Sequence, residues 1–121
     1  MAWAVEFHPT FAVEADAMPA AAQVELIAAI RLLEFLGPNL GRPTVDTLKG
    51  SRHANMKELR FSADDGVWRL AFAFDPQRSA ILLVAGDKSG VSEKRFYKRL
   101  IATADDRFDA HLITLKKGQL R

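Results

Sequence analysis

Apolar and polar positions alternate in the opening stretch WAVEF, with Trp3, Val5 and Phe7 on one side and Glu6 and His8 on the other. That period of two predicts a half-buried strand, stopped by Pro9. A short helical turn is expected around residues 11–17. The run MPAAAQVELIAAIRLLEFLGP then takes up a helical spacing. Pro19 suits a first turn, the apolar stripe includes Val24, Ile27, Ile30 and Leu33, and Gly37-Pro38 is a stop signal. Residues 37–55 carry many breakers and little periodicity, and read as a long connection of the kind that often has a function.

MKELRFSADDGVWRLAFAF, residues 56–74, returns to alternation and reads as a hairpin. After the turn DPQR, SAILLVAG is apolar at consecutive positions, the mark of a strand covered on both faces. GDKSG is a loop, and Ser92 can cap a long helix in which Phe96, Leu100, Ala104, Phe108 and Leu112 recur at every fourth position. The expected fold is one α+β domain over residues 1–121. It is a mostly antiparallel sheet of about four strands, an N-terminal strand plus a three-strand meander. N-terminal helix or helices and a C-terminal helix pack on it. The last six residues, KKGQLR, read as a flexible end.

Composition narrows the chemistry. The 121 residues are 49% hydrophobic and include no cysteine, which rules out disulfides and thiolate metal sites and fits a reducing cytoplasm. No signal-peptide pattern opens the chain, and the longest apolar run is far short of the ~20 residues that span a bilayer. His8, His53 and His111 lack metal-ligand spacing, His8 and His111 reading as surface residues, and no cofactor is expected. Neither a G-x-S-x-G elbow nor a dinucleotide fingerprint is present. The formal charge of +2 is unevenly spread. Residues 1–48 hold two basic and six acidic side chains, residues 49–121 fifteen basic and nine acidic. A basic C-terminal portion suits a polyanionic partner, or simply a solvated surface.

Two arginines lie within the hairpin strands. With Asp65-Gly66 at the tip, Phe61 faces Leu70, Leu59 faces Phe72, Ser62 faces Arg69 and Arg60 faces Ala71. Both arginines then share one face as diagonal neighbours, roughly 7–8 Å apart at the backbone. Like charges so placed call for an anion between them. Glu58 on the same face can supply it internally, or a phosphate can, gripped by the guanidinium forks. Other candidates are Lys49, Arg52, His53 and Lys57 in and after the long connection, and Lys88 in GDKSG. Lys94, Arg95, Lys98 and Arg99 lie in the first turns of the last helix, where basic residues oppose the helix dipole. Each can equally be a solvated charge. Tyr97, the one tyrosine, falls in the apolar sector of that helix near its start.

LGRPTVDTLKGSRHANMKELRF, VWRLAFAFDPQRSAILLVAGDKSG and EKRFYKRLIATAD, in that order, resemble the RelE/HigB toxins of type II toxin–antitoxin systems, in their phage-derived HigB-like branch. The resemblance covers roughly residues 3–105. It implies a toxin restrained by a helix-turn-helix antitoxin of the HigA/Xre kind, touching DNA only through that complex. Free, such a toxin enters the ribosomal A site and cuts mRNA without a metal, the ribose 2′-OH attacking the adjacent phosphate. By motif position Arg69, Arg60, Tyr97 and Lys88 are the catalytic candidates. Lys57, Lys49, Arg52, His53, Lys94, Arg95 and Lys98 are candidates for binding RNA. The chain departs from the HigB-like pattern in having one lysine and no proline before the last helix, and in continuing past residue 105. Two other functions stay open: inhibition of DNA gyrase in the manner of ParE, and a non-catalytic, phage-derived binding role.

Overall fold

A computed structural model describes residues 2–119, so Leu120 and Arg121, at the end of the expected flexible stretch, lie outside the described residues. Among those described, five strands and three α-helices follow one another as β1 (Val5–Phe7), α1 (Pro9–Asp16), α2 (Ala20–Leu36), β2 (Val45–Thr47), β3 (Lys57–Ala63), β4 (Gly66–Phe74), β5 (Ala80–Asp87) and α3 (Glu93–Gln119). The sheet order is β1-β5-β4-β3-β2, with β1 parallel to β5 and the other neighbours antiparallel. The α+β expectation holds, with one more strand than foreseen. Val45–Thr47, inside the supposed connection, pairs with Lys57–Leu59 as an edge strand too short to announce itself by period. α3 carries the helix through most of KKGQLR.

The sheet is covered on both faces. On one, Leu59, Leu70, Phe72 and Leu82 pack against Phe11 of α1 and Leu26, Ala29 and Leu33 of α2. On the other, Ala71, Ala73, Ile81 and Leu83 pack against Leu100, Ala104 and Phe108 of α3. β5 therefore contributes alternate residues to two cores, which is why its sequence is apolar throughout.

α1 begins at Pro9, where the ring needs no N–H partner, and His8 caps it by accepting the Thr10 N–H at 3.2 Å on Nδ1. α2 buries only part of the expected stripe, with Leu33 in the core and Ile30 packed against it. Ala22, Leu26, Ala29 and Leu33 face the sheet, whereas Val24 and Ile27 are 64% and 54% exposed. The helix is apolar around most of its circumference, so spacing alone could not choose the face. Alanine at two contact positions lets its backbone sit close to the sheet.

The hairpin register also differs from the expected one. The tip is Asp64-Asp65, at φ 44° and 59°, the left-handed pair of a type I′ turn, which aspartate tolerates. Leu59 then faces Leu70, and Arg60 faces Arg69 directly rather than diagonally. The pairing is displaced by two residues, so every side chain keeps its face. Gly66 opens β4 because a Cβ there would lie 2.9 Å from the Ala63 carbonyl oxygen and from the Asp87 and Trp68 side chains.

Candidate active site

Glu58, Arg60 and Arg69 rise from β3 and β4 toward the N-terminal half of α3. Glu58 is buried, and its two oxygens divide the arginines between them. Oε1 lies 3.4 Å from Arg69 Nε and Oε2 lies 3.4 Å from Arg60 Nη2. Tyr97 descends from α3, donates its hydroxyl proton to Glu58 Oε1 at 2.7 Å, and accepts from Arg69 Nε at 3.2 Å. Arg69 is held further by Nη1, which donates to the Trp68 carbonyl at 2.9 Å. The internal carboxylate foreseen between the arginines is thus in place.

The surroundings set the protonation of Tyr97. Burial, and then the bond it donates to Glu58, push the phenol above its ordinary pKa, against the opposing pull of Arg69. Near neutral pH it is a protonated donor. Arg60 keeps an unused donor, because its buried Nε has no hydrogen-bond partner among the described residues.

A cleft of about 350 Å³ opens beside this group, lined by Asp46, Lys49, Glu58, Arg60, Glu93 and Tyr97 among others. Carboxylates hold the cations around it. Asp46 Oδ2 lies 3.7 Å from Arg60 Nη2 and 3.6 Å from Arg42 Nε. Lys88 Nζ donates to Glu93 Oε1 at 2.8 Å and stands 5.8 Å from the centre of the Tyr97 ring. That bond holds the Glu93 carboxyl below its ordinary pKa. Asp46 and Glu93 thus belong to the site beside Glu58, the one carboxylate the sequence pattern had placed there. Glu58 was legible as a same-face neighbour; the other two are brought in by tertiary contacts.

Four of the candidates, Arg60, Arg69, Lys88 and Tyr97, come together, and Lys49 lines the same cleft. The other candidates lie elsewhere. Lys57 alternates onto the opposite face of β3, with Nζ 3.3 Å from Thr47 Oγ1. Arg52 and His53 are tied down to α3. Arg52 meets Asp106 and Asp109, while His53 Nε2 lies 2.7 Å from Asp109 Oδ1 with its ring edge-on to Phe108. These partners, Arg52 first, hold Asp109 below its ordinary pKa. Buried Asp105 completes this anchor by accepting from Ser51 Oγ and, at 3.0 Å, from the Arg52 N–H. The loop is latched by residues far along the chain, which no local pattern signals. Lys94, Arg95 and Lys98 are exposed on α3.

The remaining histidines are more engaged than their surface reading implied. His8 is the α1 cap, and His111 Nε2 lies 2.8 Å from Oδ2 of buried Asp75. Among the described residues no group of three or more His, Cys, Asp or Glu could hold a metal ion, and no helix is long and apolar enough to cross a membrane.

Residues 14–109 match the family described as "Phage derived protein Gp49-like (DUF891)". The chain belongs to this family. Two relatives from Mycobacterium tuberculosis (strain ATCC 25618 / H37Rv) place it within the RelE/HigB toxin superfamily. One, "Putative toxin HigB3", is 50% identical over 108 residues, 89% of this chain and 88% of the relative. The other, "Putative toxin HigB2", is 51% identical over 88 residues, which are 72% of this chain but 43% of that protein's length. The fold resembles that of the E. coli toxin RelE, solved in the free state as a mutant with two arginines replaced by alanine. That likeness has a TM-score of 0.59 at 13% identity and covers 88% of this chain and 98% of the other. The arginine–tyrosine group thus stands in a Gp49-like protein with a RelE-type fold.

Proposed function

We propose that this protein is the toxin of a type II toxin–antitoxin pair and cleaves ribosome-bound mRNA. The observation that carries the reading is the Tyr97 hydroxyl, hydrogen-bonded at once to Arg69 and to Glu58. A carboxylate, a phenol and two guanidiniums converging beside an open cleft are the groups that internal attack by a ribose hydroxyl requires. Glu58 accepts the 2′-OH proton as that oxygen bonds to phosphorus. The P–O5′ bond breaks, leaving a 2′,3′-cyclic phosphate and a 5′-hydroxyl. Tyr97, protonated near neutral pH as a phenol ordinarily is, supplies the proton for the departing oxygen and can regain it from Glu58 across their shared hydrogen bond. Arg60 and Arg69 neutralise the charge that builds on the phosphorane, and preorganised stabilisation of this kind carries roughly 10²–10³ in rate. No resident metal takes part.

The restraining partner is a helix-turn-helix antitoxin of the HigA/Xre kind, and the protein works in the cytoplasm, where its ribosomal target is. Relatives named as toxins at about half identity support this reading, as does the basic bias of residues 49–121.

The test is to map mRNA 5′ ends after adding the purified protein to an in vitro translation mixture. Wild type, Arg69→Ala and a ribosome-free control run in parallel. New cuts that need both ribosomes and Arg69 are expected, and Tyr97→Phe should slow them by about 10²-fold or more. Intact mRNA throughout, with folded protein, would overturn the proposal.

A further inference from the structure

α3 borders a second cleft on its other flank. Phe96 and Tyr97 are chain neighbours and so leave the helix in different directions. Tyr97 reaches Glu58 and Arg69, whereas Phe96 reaches β5. Strand pairing runs Arg60–Arg69–Gly86 across β3, β4 and β5, so Gly86 continues the arginine row by one strand. The Phe96 ring occupies the space a side chain there would fill: a Cβ on Gly86 would lie 2.9 Å from Phe96 Cε1. Against that ring opens a cleft of about 300 Å³, lined by Val84, Val91, Phe96, Thr103 and two arginines, Arg95 and Arg99.

Charge sets this cleft apart from the first. Arg60, Arg69 and Lys88 are each held by a carboxylate, and so are Arg52 and Arg107. Arg95 and Arg99 form no ion pair among the described residues. The carboxylate in the lining, Asp87, accepts from the main-chain N–H groups of Val67 and Ser89 and from the Ser89 hydroxyl, all on Oδ1, and pairs with neither arginine. The wall is apolar where Val84, Val91 and Phe96 meet. β1 pairs with β5 only at Ala80–Leu82, so the Val84–Asp87 stretch, paired with β4 on one side, has no strand on the other among the described residues.

We propose that this second cleft binds one nucleotide of the RNA chain beside the scissile step. Its base lies against Phe96 and Val91, and its phosphate sits between Arg95 and Arg99. The inference rests on the cleavage reading above and adds a place where the strand is held. A flat apolar ligand part carrying an anion matches an apolar wall flanked by free guanidiniums, the combination by which single strands are bound without sequence readout. The volume is at the lower end for small-ligand pockets, which suits one nucleotide. Binding here displaces no internal carboxylate, whereas binding at the arginine pair must compete with Glu58 and Asp46. Strand capture therefore belongs to the second cleft and chemistry to the first.

Fluorescence anisotropy with a labelled single-stranded 12-mer RNA, 2′-O-methylated throughout, tests this without cleavage, because the attacking hydroxyl is blocked. Arg95→Ala/Arg99→Ala should weaken binding at least tenfold. It should also flatten the slope of log affinity against log salt by about 0.7, the effect of one lost phosphate contact on a single strand. Thr103→Trp, which fills the cleft without changing charge, should weaken binding while leaving that slope unchanged. Lys116→Ala/Lys117→Ala removes equal charge from the far end of α3 and should bind nearly as wild type. Equal losses in both double variants, or undiminished binding by folded Thr103→Trp, would overturn the proposal. The same holds if wild type fails to bind the probe. Any of these alongside Arg69-dependent cuts in the translation assay would sink the second cleft alone; absence of cuts would sink the cleavage reading.

Discussion

Arg60 and Arg69 face each other directly across β3 and β4, and both turn onto Glu58, which lies 3.4 Å from each. Two guanidiniums in register would repel; one shared carboxylate turns the repulsion into a bridged set. Arg69 is only 12% exposed at its side chain, so little solvent screens it if the bridge is lost.

Glu58→Ala should therefore destabilise the fold by about 3 kcal/mol, the range for breaking one partner out of a buried pair. Urea unfolding should show the midpoint fall with little change in slope. Glu58→Gln keeps an acceptor for Tyr97 and should lose less stability, yet it should lose cleavage as completely. A Gln variant that cuts at the wild-type rate would show that Glu58 only braces the arginines.

Glu93 holds Lys88 from an exposed position, its side chain 69% accessible. Such a pair contributes little to stability. Glu93→Gln should leave the melting temperature unchanged and raise affinity for single-stranded RNA several-fold at low salt, because Lys88 is released to meet phosphate. The gain should fade as salt is raised.

Asp105 is 2% exposed and takes bonds from Ser51 and from the Arg52 main chain. Asp105→Ala leaves those donors unmatched and should lower stability by roughly 2–3 kcal/mol. Amide hydrogen exchange should quicken across residues 49–55, the loop it latches. Asp106→Asn, at an exposed partner of the same arginine, should change neither measurement.

His8 titrates below its ordinary value of 6.5, chiefly through burial and then through the Arg107 and His111 charges. The unfolded chain thus binds this proton more readily than the folded one. The contribution of His8 to stability is complete above pH 6.5 and is lost as pH falls through the folded pKa. Protonation also removes the Nδ1 acceptor that caps α1. His8→Asn retains a capping acceptor without a titration. Its stability relative to wild type should rise as pH falls below 6.5, in a window above that of Glu14, which Arg107 holds below 4.5. Parallel stability profiles for the two proteins would refute this.

The face assignments of the hairpin could be read from the chain alone. Within each strand, pleating puts Glu58 with Arg60 and sets Arg69 on the other face from Leu70 and Phe72. Only a register that keeps the apolar residues together, with Leu59, leaves both arginines and Glu58 on one face. Register was not legible in the same way. A slip of one residue mixes the faces and is excluded, but a slip of two preserves them, and hydrophobicity is blind to it. The choice rests on the Asp64-Asp65 turn, where two aspartates take positive φ and Gly66 does not.

Local sequence, then, determined what repeats locally: strand and helix periods, the two-sided burial of β5, the apolar face of α3, and the pair of arginines on one side of a sheet. Tertiary structure decided which of several apolar faces α2 buries, and which carboxylates neutralise which cations. Glu58 meets Tyr97 across 39 positions of chain and Arg52 meets Asp109 across 57. Such pairings depend on how α3 lies over the sheet, a geometry set by packing both cores at once. A charge in a sequence carries no label for its partner, so the site's cations and the same-face Glu58 were visible beforehand, while Asp46 and Glu93, brought in from other elements, were not.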